Sequence, residues 1–152
     1  MSHQASNAIS TRALDIAARV EEFVRNVVAP YERDPRATSH GPTEELVHEL
    51  RAKARAAGLM TPHIMKDGSH LTQRETAVVL IKSGLSPLGP VACNTMAPDE
   101  GNMYLLGKVG SPMIKARFLA PMIAGEKRST FFMTEPAADN GAGSDPTMMQ
   151  TR

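Results

Sequence analysis

The 152-residue chain has no tryptophan, a single cysteine and only six aromatic residues, four Phe and two Tyr. One cysteine, Cys93, excludes an intramolecular disulfide and offers no paired thiolate ligands for a metal. The five histidines, His3, His40, His48, His63 and His70, are scattered and form no His-x-x-x-His pair, which argues against a metal site. Charge of one sign is also missing. Lys and Arg number 17 and Asp and Glu 16, for a net charge of +1, so there is no bulk electrostatic case for nucleic acid or an anionic membrane. Apolar runs fall far short of a membrane span. Residues 1–10 lack a basic region followed by an apolar run, and Asp15 separates the only nearby cations, Arg12 and Arg19. Neither a secretory signal nor a transit peptide is expected, and the expected location is the cytoplasm.

What is present is an ordinary globular composition, with 41% hydrophobic and 22% charged residues. Ten methionines beside six aromatics predict an adaptable apolar interior. From Ile9 the spacing of Leu14, Ala17, Ala18, Val20, Val24, Val27 and Val28 predicts an amphipathic helix that Pro30 ends. A surface loop over 31–42 follows. Thr43 is placed to cap a second helix with the stripe Leu46, Val47, Leu50 and Ala54, and Gly58 to stop it. Thr72 with Glu75 three residues on has capping-box spacing for a third helix, which Val78, Val79 and Ile81 turn inward. A short helix is expected over Val91–Met96 and another over Gly101–Val109. Ser111-Pro112 supplies an N-cap and a first-turn proline for the last one, closing at Gly125.

Only after about six helices does the pattern change. Thr130 to Met133 are β-branched, aromatic and apolar, as a strand requires, and Pro136 cannot donate to a sheet ladder. Gly141 and Gly143 then loosen the backbone, so that the loop can aim N–H groups at an anion. The expected fold is mainly α: a helical domain over 1–128, then the incomplete start of a β-domain over 129–152. One strand cannot cover a sheet's faces and edges, so the chain reads as the N-terminal piece of a longer protein or as one partner of a complex.

Three motifs carry a family resemblance. They are Leu119-Ala120-Pro121-Met122-Ile123-Ala124-Gly125, Met133-Thr134-Glu135-Pro136 and Gly141-Ala142-Gly143-Ser144-Asp145. Together with Ala97-Pro98-Asp99-Glu100-Gly101-Asn102-Met103, they resemble the acyl-CoA dehydrogenases. One departure stands out: Ala137-Ala138-Asp139-Asn140 separates the Glu-Pro from the glycine loop that usually follows it directly.

The resemblance implies FAD as cofactor and an acyl-CoA thioester as substrate, oxidised to the 2,3-enoyl-CoA. It implies an electron-transfer flavoprotein as acceptor, and either a homo-oligomer or a complementary C-terminal chain. Residue by residue, it sets Met133 and Thr134 on the pyrimidine edge of the flavin and Phe131 at the border of flavin and acyl site. It sets Gly143 and Ser144 against the FAD pyrophosphate and the acyl-CoA. Asn94, Met96 and Asn102 fall where helical side chains line the acyl pocket; core packing explains Met96 equally well, and a cap or inter-helix hydrogen bond explains Asn102. Asp145 reads as a loop or helix cap. The family's catalytic glutamate has no counterpart in these residues, so no catalytic residue is assigned. A non-catalytic assembly subunit, or half of a split dehydrogenase, is the alternative.

Overall fold

A computed structural model describes residues 8–65, 68–131, 134, 135, 143, 145 and 147. Its first helix, α1 (Thr11–Phe23), starts where the Ser10 side chain accepts the Ala13 N–H, an N-cap that satisfies one of the orphan donors. Helical turns do not end at Pro30 as expected. They run on through a π-turn (Val24–Val28) and a 3-10 turn (Ala29–Arg33), with Pro30 in the first turn of the latter. The fixed φ of proline suits that position, although the turn follows the π-turn directly and the Ala29 N–H beside it bonds Val24 O.

The segment 31–42 is more than a loop. Two-residue strands β1 (Ala37–Thr38) and β2 (Gly41–Pro42) pair antiparallel, Ala37 with Pro42 and Thr38 with Gly41. This corrects the expectation of a plain surface loop over 31–42 and of no strand before about residue 128. The tight reversal is possible because Gly41 takes a φ of 111°, open to glycine alone.

Helix α2 (Glu44–Ala56) is capped by Thr43, and α3 (Gln73–Ser83) by a complete Thr72–Glu75 capping box. Short α4 (Gly89–Ala92) stops earlier than expected, because Asn94 adopts a φ of 55°. Helix α5 (Asp99–Val109) precedes the last rod, which comprises α6 (Pro112–Ile114, capped by Ser111), a π-turn (Lys115–Leu119) and α7 (Ala120–Ile123).

Helix α1 packs chiefly on α3, and α2 on α4. The main core gathers Ala13, Ala17, Val20, Phe23, Val24 and Val28 against Leu46, Leu50, Ala54, Val79, Leu88 and Cys93. Leu14 and Ile81, both expected inward, are 52% and 67% exposed. The buried positions are instead Ala13, Ala17, Val20 and Phe23 on α1 and Thr76, Val79 and Ser83 on α3. Gly89 is fixed by proximity: a Cβ there would stand 1.9 Å from the Ser83 carbonyl oxygen. Cys93 is a core residue, its thiol pushed up to about 12 by burial, which rules out a thiolate nucleophile at neutral pH. A smaller core of Ile64, Met103, Leu119 and Met122 holds α5 to the last rod. Among the described residues no helix is long and apolar enough to cross a membrane.

Candidate functional site

The geometry concentrates where the last rod ends and the segment towards Thr134 begins. A helix leaves its final carbonyls without intrahelical partners. At α7 the first response is local. Gly125, at φ 71°, lets its N–H reach Met122 O at 2.9 Å and the Glu126 N–H reach Pro121 O at 2.9 Å, a Schellman closure.

The second response comes from side chains distant in sequence. Asn94 Nδ2 donates to Met122 O at 2.9 Å, Thr61 Oγ1 to Ile123 O at 2.7 Å, Arg55 Nη2 to Ala124 O at 2.9 Å and Arg51 Nη1 to Gly125 O at 2.9 Å. Four successive carbonyls are thus each held by a different residue. Two of the four donors are cations, placed where the helix end carries partial negative charge.

The donors also hold one another. Arg51 Nη2 donates to Asn94 Oδ1 at 3.2 Å, its Nε to Val91 O at 3.3 Å, and Asn94 Nδ2 to Thr61 Oγ1 at 3.0 Å. Burial pulls the Arg51 pKa down and the charge of Arg128 adds to this, while Asp99 opposes them; a guanidinium stays charged regardless. Thr61 and Asn94 both have positive φ, 50° and 55°. For a β-branched residue such as Thr61 this is a strained state, of order 1–3 kcal/mol, that its surroundings must over-determine.

A second cluster fixes the outgoing chain. Asp99, at the start of α5, is buried, and its Oδ1 accepts both the Ser129 N–H at 2.6 Å and the Ser129 Oγ–H at 2.7 Å. Asn102 Nδ2 donates to Ser129 Oγ at 2.8 Å. Arg128 lies across the cluster, with Nε 3.7 Å from Asp99 Oδ2 and Nη2 3.5 Å from Met96 Sδ.

The expected site residues fall into three groups. Asn94 is fully buried, with its amide hydrogens and its oxygen all taken by protein partners, while Met96 is half-buried under Arg128. Phe131 is 55% exposed and Thr134 is exposed. Thr130 and Phe131, expected to open a strand, are in no strand, and the carbonyl of Gly143, a residue at φ 56°, accepts the Glu135 N–H at 2.9 Å. Met133 and Ser144 lie outside the described residues. Asp145 closes a local turn, its Oδ1 accepting the Thr147 N–H at 2.9 Å and hydroxyl at 2.7 Å.

Sequence reasoning missed Arg51, Arg55, Thr61 and the pairing of Asp99 with Ser129. Arg51 left one signal: it lies four residues after Val47, on the apolar side of α2. Away from the junction, His63 and His70 are brought to 6.2 Å between ring centroids. Among the described residues no group of three or more His, Cys, Asp or Glu could hold a metal ion.

The profile described as acyl-CoA dehydrogenase, N-terminal domain, matches residues 10–126. The chain belongs to the acyl-CoA dehydrogenase family. It is 34% identical over 151 residues to FadE2 of Mycobacterium tuberculosis, named as a probable acyl-CoA dehydrogenase, covering 95% of this chain and 36% of that protein. It is 32% identical to acyl-CoA dehydrogenase family member 11 of Gallus gallus, covering 93% of this chain and 19% of that protein. A solved Mycobacterium abscessus structure assigned as an acyl-CoA dehydrogenase superposes with a TM-score of 0.67 at 35% identity, over 86% of this chain and 36% of that one. The chain therefore spans about a third or less of the length of these acyl-CoA dehydrogenase relatives.

Proposed function

We propose that the chain is the N-terminal helical part of an FAD-dependent acyl-CoA dehydrogenase, with residues 129–152 forming the first edge of its flavin site. The single observation that carries this reading is the junction. Residues 122–129 of a family member are pinned by six side chains, and the segment they launch presents Phe131 and Thr134 outward. Such effort on one exit point suits a segment whose position matters to a ligand.

The described residues fit the edge of a flavin. Phe131 offers an exposed ring and Thr134 is exposed, and the Glu135 N–H next to it donates to the Gly143 carbonyl. Met133, Gly143 and Ser144 complete the proposed set on the family pattern. When bound, FAD supplies acceptance of a hydride from the acyl β-carbon. This chain's part is to bind and orient. A hydroxyl donor at Thr134 favours negative charge on the pyrimidine edge, and backbone at Gly143 can approach an anion closely. Asn94 acts here by holding α7, whereas Met96 faces the junction and remains a candidate acyl contact.

Acyl-CoA is the proposed substrate and an electron-transfer flavoprotein the proposed acceptor. The exposed Leu105, Val109, Met113, Phe118 and Phe131 suit burial against further chain, either a second copy or a complementary C-terminal chain that supplies the base. The test uses the natural gene product with any chain it is continuous with or pairs with. It should retain a flavin, and anaerobic addition of a saturated acyl-CoA should bleach the visible flavin absorbance. A protein that neither binds FAD nor reacts with any acyl-CoA would refute the reading and favour an assembly role.

A further inference from the structure

Asp99 is 1% exposed, so its carboxylate has given up water. What replaces the water is concentrated on one residue. Oδ1 accepts both the backbone N–H and the hydroxyl of Ser129, 30 positions away in the chain. Oδ2 has no hydrogen-bond partner and is buried, with Arg128 Nε at 3.7 Å. The placement is nonetheless favourable in one respect: Asp99 opens an 11-residue helix, whose dipole favours an anion at that end. Asn102, three residues on and so on the same face, donates to the Ser129 hydroxyl. The Ser129 hydroxyl thus passes a hydrogen bond from Asn102 to Asp99, and its rotor is fixed from both sides.

We infer that Asp99 is a positioning residue for the proposed flavin segment: by gripping both polar groups of Ser129, it fixes where and in what register the chain carrying Phe131 and Thr134 leaves the helical unit. Register is what a two-point grip controls. A slip of one residue at Ser129 would displace Phe131, two residues on, and Thr134 with it by up to about 3.6 Å. A single bond to the Ser129 hydroxyl would tolerate such a slip, because hydroxyls rotate. The additional bond to its backbone N–H does not. Asp99 touches no reacting atom in this scheme; it acts through Ser129.

The inference rests on the proposed function for its purpose but not for its geometry, and the test separates the two. In the natural holoprotein, Asp99→Asn keeps the side-chain shape and removes the charge, while Ser129→Ala removes only the hydroxyl arm and is the milder change should Asp99→Asn fold poorly. Residue-resolved amide exchange reads the grip directly. Asparagine keeps a neutral acceptor, so the loss is the difference between a charged and a neutral hydrogen bond, about ten-fold. Exchange at Ser129 should therefore accelerate by that factor in Asp99→Asn and by less in Ser129→Ala, with amides of α1 and α2 unchanged. FAD affinity should fall about ten-fold in Asp99→Asn.

Unchanged exchange at Ser129 would overturn the inference. So would acceleration spread evenly over the helical unit, which marks a merely structural carboxylate. Local loosening with unchanged affinity, in a protein whose wild type binds FAD, would overturn the positioning role. A wild type that binds no FAD would instead sink the proposed function, and the exchange result would still decide the grip.

Discussion

Asn94→Ala tests whether this residue holds α7 or lines a pocket. The substitution deletes two bonds to neutral acceptors, Thr61 Oγ1 and Met122 O, and one from the Arg51 guanidinium. Neutral bonds contribute about 0.5–1.5 kcal/mol each and a charged one about 1.5–3, so the loss is of order 2.5–6 kcal/mol before relaxation. Alanine at the φ of 55° adds about 1–2 kcal/mol. The total is a large share of a domain's stability, typically about 5–15 kcal/mol. Asn94→Gly loses the same bonds without the left-handed penalty, so it should be less destabilised than the alanine variant by about 1 kcal/mol. The assay is urea unfolding followed by far-ultraviolet circular dichroism, since the chain has no tryptophan and only two tyrosines. The midpoint should fall with an unchanged m-value, in the order wild type, Gly, Ala. An alanine variant within about 1 kcal/mol of wild type would refute the reasoning, above all if it altered acyl-chain preference in the whole enzyme.

Three further outcomes are expected. Gly89→Ala should destabilise by about 3 kcal/mol or more, because its Cβ meets Ser83 backbone at 1.9 Å, whereas Gly101→Ala, inside α5 with nothing within 4 Å, should stabilise by about 0.5–1 kcal/mol; thermal melts of the pair check this. Burial lowers His63 from 6.5 to about 4, so between those values the unfolded chain holds a proton that the folded one lacks; stability should fall on acidification through that window by up to about 3 kcal/mol, and a urea series against pH should flatten in His63→Leu. In the flavin-loaded whole protein, Thr134→Val should lower the reduction potential by the equivalent of about ten- to a hundred-fold in the equilibrium, while Ser144→Ala should weaken FAD binding with the potential unmoved; a redox titration giving the reverse pattern would refute both assignments.

Helix ends were readable because capping is local. Thr43, the Thr72–Glu75 pair and Ser111 each act on a group three residues on, and Gly58 and Gly125 adopt the positive φ that their place after a helix implies. Helix faces were read less well for a definite reason. Periodicity ranks residues by hydrophobicity, and Leu14 and Ile81 outrank Ala13 and Thr76. Packing ranks them by position: the buried faces run through Ala13, Ala17 and Val20 on α1 and Thr76 and Val79 on α3, and Leu14 and Ile81 lie off those faces. Pro30 misled similarly, since one lost hydrogen bond and a fixed φ are tolerated where the helix is already changing from a π-turn to a 3-10 turn.

The junction was not legible because its residues act across the chain. Arg51 reaches Gly125 over 74 positions, Arg55 reaches Ala124 over 69, Thr61 reaches Ile123 over 62 and Asn94 reaches Met122 over 28. No local pattern links an arginine in one helix to a carbonyl at the end of another. The family motif around Gly125 is readable precisely where it is local, as the Schellman turn, and silent on what holds that turn in place. This division has a physical consequence. The direction in which the chain leaves α7 is set by α2, by the strained turn at Thr61 and by the positive-φ residue after α4, and its next fixed point by α5 through Asp99. All four must be packed before the segment carrying Phe131 and Thr134 has a defined start. The helical unit is in this sense the template on which the proposed flavin edge is laid, and the hydrogen bonds of Thr61 and Asn94 hold that template to one geometry against the strain at Thr61.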